Sequence, residues 1–280
     1  MKKLISVAVA AALVTMAGVA DAKDWKNIRI ASEGAYPPWN STDASGKLIG
    51  FDIDVANEVC KRQKVECEII ATAWDGIIPG LTSGKYDAII AGMSITKKRM
   101  KVIAFSENYA QTPGSLAVVK DSPLASYKAS LAKINLDAIG DAEKAEFAAL
   151  KKALKGKTIG VQVATTHFNF LEKYLGDAVT IRTYDTQENL DLDLHAGRVD
   201  AADASLAYWK PLMEKDAGKN LALIGPGFAG DVIGAGNGVG IRKEDKELVA
   251  LFSKGIRSMK KDGTLVKLAM KWFGFDNIPK

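Results

Sequence analysis

The chain has 280 residues, 48% of them apolar, a formal charge of +5 and two cysteines. That is ample for a core, and compatible with one large domain or two lobes. The cationic surplus is mild and no long basic stripe is interleaved with aromatics, which excludes nucleic acid as a partner.

Residues 1–22 read as an export signal. Lys2 and Lys3 form a basic start, Leu4 to Val19 is mostly apolar, and Ala20-Asp21-Ala22 fits small-x-small cleavage near Ala22. The apolar run is too short, and too broken by Thr15 and Gly18, for a membrane anchor. No cysteine stands near that cleavage site for lipid attachment. A periplasmic location after cleavage is therefore expected.

Asn27 to Ser32 alternates Ile28 and Ile30 with polar neighbours and predicts a strand. It leads into Glu33-Gly34-Ala35-Tyr36-Pro37-Pro38-Trp39, where the two prolines stop any helix and leave an acid and aromatics on a loop. Asp52 is the expected N-cap of a helix to about Arg62, with Ile53, Ala56 and Cys60 on one face. Cys67 to Ala71 predicts a second strand. Cys60 and Cys67 stand seven apart in an exported chain, which favours a disulfide closing a small loop. Such a bridge contributes about 2–3 kcal/mol on the chain-entropy model. Two cysteines with only distant His167 and His195 lack the ligand cluster of a metal site, so no metal is expected.

Trp74 to Ser83 predicts a short helix interrupted by Pro79, and Tyr86 to Ala91 an Ile-rich buried strand. Strand, helix, strand, helix, strand is the order of a parallel sheet covered on both faces. After Ala91 come Gly92, Met93, Ser94, Ile95 and Thr96, then Lys97, Lys98, Arg99 and Lys101. Small residues, hydroxyls and a guanidinium beyond a strand's C-terminal end suit an anion, most simply a carboxylate held by the planar fork of Arg99 with Ser94 as a further donor.

Asn108 to Gly114 suits a crossing between lobes. The Ala- and Lys-rich region from Ser122 to Lys157 predicts a helical insertion from the spacing of Leu131, Ile134 and Ala138. Thr158 to Val163 predicts a strand, followed by Ala164-Thr165-Thr166-His167 and a helix from Phe168 to Tyr174 whose free N–H groups point back at that loop. Strands are expected at Val179–Tyr184, Val199–Ala204 and Leu221–Ile224, with a helix from Thr186 to Ala196. Gly225-Pro226-Gly227 is the second expected crossing. Helices near Glu247–Lys261 and Leu265–Phe273 close the chain.

Two motifs fail on inspection. Ser94-Ile95-Thr96-Lys97 spells S-x-x-K, but the S-D-N and K-T-G partners of an acylating serine are absent. Gly156-Lys157-Thr158 ends like a phosphate-binding loop, yet Lys151 stands where its first glycine belongs.

Ile89-Ile90-Ala91-Gly92-Met93-Ser94-Ile95-Thr96, then Arg99, then Ile103-Ala104-Phe105-Ser106, resembles the solute-binding proteins for polar amino acids that serve ATP-driven bacterial importers. The likeness covers nearly all of the chain after the first two dozen residues. It implies an α/β, two-lobed periplasmic binding protein fold of type II, with parallel-sheet lobes joined by two crossings. The first lobe would be discontinuous, 23–111 and 226–280, and the second 112–225. The resemblance further implies an amino-acid-like ligand between the lobes, a membrane permease of an ABC importer as partner, and a monomer with no cofactor. It places the ligand's carboxylate on Arg99 and Ser94, beside Ala91, Gly92 and Met93. Tyr36 and Trp74 would sandwich the aliphatic part, and Glu33 would face a distal cation. Gln162, Ala164, Thr165, Thr166 and Ser205 would complete the shell from the second lobe. A disulfide at the place of Cys60 and Cys67 occurs in members for basic amino acids. A dehydratase on the same fold, of the cyclohexadienyl type, is the enzyme alternative, with Glu33 as its proton donor.

The chain departs from the family's pattern twice. Aligned on Gly197-Arg198-Val199-Asp200-Ala201, Ser205 stands where free-amino-acid binders place an aspartate for the α-ammonium, and Ala91-Gly92 stands where basic-amino-acid binders often carry two serines. Both changes suit an opine of octopine or nopaline type, in which the α-nitrogen carries a second carboxylate. Asp203, two residues earlier, could replace the missing acid and restore a site for free arginine, lysine, ornithine or histidine.

Overall fold

Ile28 and Ile30 point into a core because alternate residues of a strand share a face, and both are buried in the computed structural model, which describes residues 25–280. The expected export signal lies outside the described residues. In chain order the elements are β1 (Asn27–Ser32), β2 (Ala35–Tyr36), β3 (Asn40–Thr42), β4 (Leu48–Ile49), α1 (Phe51–Gln63), β5 (Glu66–Ala71), α2 (Ile77–Thr82), β6 (Ala88–Ile89), α3 (Lys97–Met100) and β7 (Ala104–Phe105). There follow β8 (Gly114–Val119), β9 (Lys133–Asn135), α4 (Asp141–Leu154), β10 (Thr158–Gln162), α5 (Thr166–Phe170), β11 (Thr180–Tyr184), α6 (Gln187–His195), β12 (Ala201–Ser205) and α7 (Leu206–Met213). The chain closes with β13 (Leu221–Ala229), β14 (Gly240–Ile241), α8 (Lys246–Lys261) and α9 (Thr264–Phe273).

Two large sheets result. The first has the order β5-β1-β6-β14-β7 and the second β11-β10-β12-β8-β13-β9. In the first, β5, β1 and β6 are parallel and the returning β14 is antiparallel to its neighbours. In the second, β11, β10 and β12 are parallel while β8 runs against both β12 and β13. The chain therefore passes between sheets after β7 and again after β13, where Asn237 bridges Ala110. One core lies under α1, α8 and α9, around Val55, Val59, Phe252, Ile256 and Phe273. The second sheet carries aromatic cores on its two sides, one with Phe147, Phe170 and Phe228, the other with Tyr208 and Trp209.

Several local expectations change. Gly50, not Asp52, is the N-cap of α1. Asp52 is buried in the first turn, where it accepts from Asn40 Nδ2 at 2.8 Å and from Tyr109 Oη at 2.7 Å, and burial pushes its carboxyl up to about 7. Pro79 does not interrupt α2, because it falls in the first turn, where its missing N–H has no helical acceptor to lose. Leu131, Ile134 and Ala138 do not share a helix. Ile134 is the buried centre of β9, paired with Phe228, and the helix lies later at α4. The i, i+3 spacing is helical, but so short a run is a weak signal, and pairing with the neighbouring β13 decides for a strand around Ile134. The helix expected from Phe168 starts two residues earlier, because Thr165 Oγ1 accepts from Phe168 N at 3.1 Å and caps it. Gly225-Pro226-Gly227 is not a crossing. It lies within β13, where the register shifts between Ile224 and Phe228, and the strand continues to Ala229.

Cys60 and Cys67 form a disulfide that ties the last turns of α1 to the start of β5.

Candidate ligand-binding site

Between the two sheets lies a cleft lined by both, the kind of place where small-molecule sites are favoured. Loops leaving the C-terminal ends of β1, β5 and β6 supply one wall, and those leaving β10 and β12 the other. Of the expected contacts, Glu33, Tyr36, Trp74, Ala91, Gly92, Ser94, Arg99, Gln162, Thr165, Thr166 and Ser205 all line it. Met93 does not, being fully buried in the core with Ile89 and Ile103. Ala164 does not line it either; its backbone carbonyl accepts from Arg99 Nη2.

Arg99 is placed by the short helix α3. Thr96 caps that helix and accepts from Arg99 N at 3.1 Å. The guanidinium donates from Nη1 to Ser94 O at 3.0 Å and from Nη2 to Ala164 O, across the cleft, at 3.3 Å. It also lies 5.2 Å over the Trp74 ring. Its hydrogen bonds among the described residues go to carbonyls rather than to a carboxylate, and burial pulls the guanidinium down to about 10. A cation so placed is ready to receive an anionic ligand group.

Glu33 sits on the facing side. Gln162 Nε2 donates to Glu33 Oε1 at 2.5 Å and to Asp185 O at 3.1 Å. Burial pushes the Glu33 carboxyl up to about 7, with the Gln162 hydrogen bond opposing and Glu188 adding to the rise. Tyr36 stacks on Tyr208, with centroids 4.8 Å apart, so one ring face is taken by α7. The Tyr36 hydroxyl donates to Ser205 Oγ at 3.0 Å and accepts from Ser205 N at 3.2 Å. Ser205 Oγ also accepts from Tyr208 N, capping α7.

Gly92 is explained by two local facts rather than by pocket width alone. Its φ is 56°, a left-handed value that side chains resist, and a Cβ there would lie 3.3 Å from the Trp39 ring. Asn237 Nδ2 fixes the same peptide by donating to Gly92 O at 2.5 Å.

Sequence reasoning missed Trp39, Thr112, Gln187, Ile233, Gly236 and Asn237 as cleft residues. Trp39 reads as one more aromatic of the loop, and the Gly236-Asn237 turn carries no signal until the second passage between sheets is located. His167 and Asp203 also line the cleft. Asp203 is buried, and its Oδ1 lies 3.1 Å from His167 Nδ1. Burial pushes the Asp203 carboxyl up, with His167 and the Ser115 amide acting against it.

The family model of the bacterial extracellular solute-binding proteins, family 3, matches residues 28–275. The octopine-binding periplasmic protein of Rhizobium meliloti is 42% identical over 96% of this chain and 97% of its own length. The lysine/arginine/ornithine-binding periplasmic protein of Escherichia coli K12 is 36% identical over 90% and 89%. A crystal structure of a periplasmic His/Glu/Gln/Arg/opine family-binding protein from Silicibacter pomeroyi in complex with lysine has a TM-score of 0.72, at 33% identity, covering 90% of this chain and all of that one.

Proposed function

The chain belongs to the bacterial extracellular solute-binding proteins of family 3, and from that premise we propose that it captures an opine of octopine or nopaline type in the periplasm and delivers it to the permease of an ABC importer. The observation that carries this reading is Ser205. Its hydroxyl caps α7 and pairs with Tyr36, so the position offers no charge to a primary ammonium. The 42% identity to an octopine-binding protein over nearly both full lengths supports the same ligand class. Arg99 and Ser94 take one carboxylate, Glu33 the distal guanidinium, and Tyr36 and Trp74 the aliphatic chain between them. Thr165 and Thr166 close the second wall. A site for free arginine, lysine or ornithine is the second reading, favoured by the buried acid Asp203 beside Ser205.

Titrating octopine, nopaline, arginine and ornithine into the purified protein separates the readings. The proposal expects an opine to bind tightest, unaltered on recovery. At 1,000 times its dissociation constant it adds about 4.1 kcal/mol of stability, or roughly 8–16 °C in melting midpoint for a chain of this size. Arginine binding far more tightly than any opine refutes it. Release of water or carbon dioxide from the ligand would mark a dehydratase.

Glu33 adds a pH dependence. Its carboxyl, pushed up to about 7, must ionise to pair with a guanidinium. Below that pH arginine binding releases a proton from Glu33, so arginine affinity rises as pH climbs from the usual carboxylate range to about 7 and then levels. Calorimetry across that window checks this, and a flat profile would remove Glu33 from the cation's role.

A further inference from the structure

His167 and Asp203 are charged or chargeable groups of the cleft with no assigned task. Asp203, on β12, is 1% exposed. Its Oδ1 meets His167 Nδ1, while its Oδ2 is buried and has no hydrogen-bond partner among the described residues. A carboxylate oxygen left so is costly unless something else fills its hydrogen-bonding capacity. The imidazole, at the start of α5, is held against β8, where a Cβ on Gly114 would stand 3.2 Å from its Nδ1 and Cε1.

Deepening the opine reading, on which it rests, we infer that this pair is the subsite for the opine's substituted nitrogen. Asp203 Oδ2 receives the secondary ammonium, and His167, protonated when the opine binds, holds the second carboxylate.

The ring's hydrogen bonding carries the argument. With a Nδ1–H directed at Asp203, Nε2 is the nitrogen left for a ligand. In the neutral ring that nitrogen is an acceptor, which a carboxylate repels; only the imidazolium donates from both. Imidazole is also the side chain whose charge changes near neutral pH at little cost. The charged groups sharing the cleft are Asp203 from β12, and Arg99 and Glu33 from the facing wall, while β8 and β10 offer the uncharged Gly114 and Gln162. Two acids and two bases then match octopine, which carries two cationic nitrogens and two carboxylates. A free basic amino acid has one carboxylate, uses Arg99 for it, and leaves the imidazole neutral. The charge on His167 is what separates the two ligand classes.

Calorimetric titration near neutral pH, in phosphate and in Tris, counts protons through the buffers' different ionisation heats. Glu33 and Asp203 meet the same groups of either ligand, so the difference between octopine and arginine isolates His167. Octopine is expected to take up up to one proton more per molecule than arginine. His167→Gln should abolish that difference and cut octopine affinity at least tenfold more than arginine affinity, while Asp203→Asn weakens both. Equal proton counts for the two ligands in the wild type, or octopine affinity in His167→Gln equal to wild type, overturns this inference and leaves the opine reading standing. A wild-type protein that binds arginine and no opine overturns both.

Discussion

Arg99→Lys is expected to weaken ligand binding on the order of 100-fold, although the charge is kept. The loss comes from geometry. The guanidinium reaches Ser94 O and Ala164 O on opposite sides of the cleft while stacking on Trp74. A lysine ammonium is a compact point charge that cannot hold those carbonyls and still offer a paired fork to a planar carboxylate. Each hydrogen bond to a charged group is worth about 1.5–3 kcal/mol, so losing one or two gives an effect of that size. Lys97 and Lys98 stand beside Arg99 in sequence but are exposed, and Lys97→Ala and Lys98→Ala should change affinity less than about threefold. Calorimetry on the three variants decides between a single carboxylate fork and a diffuse basic patch. Comparable losses in all three would establish the patch.

Ser205→Asp should abolish opine binding while leaving the fold intact. Aspartate is as good an N-cap as serine, so α7 keeps its cap on Tyr208 N. The new carboxylate, however, is placed at a buried position two residues from Asp203 and against the Tyr36 hydroxyl. An opine's nitrogen-borne carboxylate would then meet a second acid in a water-poor cleft, a penalty of several kcal/mol, or roughly 1,000-fold in affinity. Free arginine, with a primary ammonium and no second carboxylate, should bind the variant at least as well relative to the opine as it binds wild type. Parallel titrations of octopine and arginine, with a thermal melt to confirm folding, read this out. Unchanged octopine affinity in the variant would place the second carboxylate elsewhere.

Much of the site was legible because its signals are local. A buried strand end followed by small residues, hydroxyls and Arg99 is a signal carried within one short window, and the structure brings Ser94, Arg99, Thr165 and Thr166 to one cleft. The reading was weaker where a residue answers to partners distant in sequence. Met93 has the right place in the motif but packs into the core with Ile89 and Ile103, where the left-handed Gly92 turns the backbone. Asp52 stands at the start of a helix and looks like a cap, yet Gly50 is the cap and Asn40 and Tyr109 claim the Asp52 carboxylate.

The α/β class of fold, the nearness of Cys60 to Cys67 and the cluster of small residues, hydroxyls and cations around Arg99 were determined by the sequence itself. Each is written in periodicity, turn chemistry or spacing within a short window, and local physics suffices to interpret them. What only the tertiary structure decided are the pairings across long separations: Glu33 with Gln162, Tyr36 with Ser205, and Arg99 with the Ala164 carbonyl. The same is true of β9, where a weak helical spacing became a strand because β13 offered it an edge, and of the His167–Asp203 pair, formed where β12 passes beside α5. No local window encodes these contacts, because each depends on which wall of the cleft the packing of two separate cores brings opposite the other.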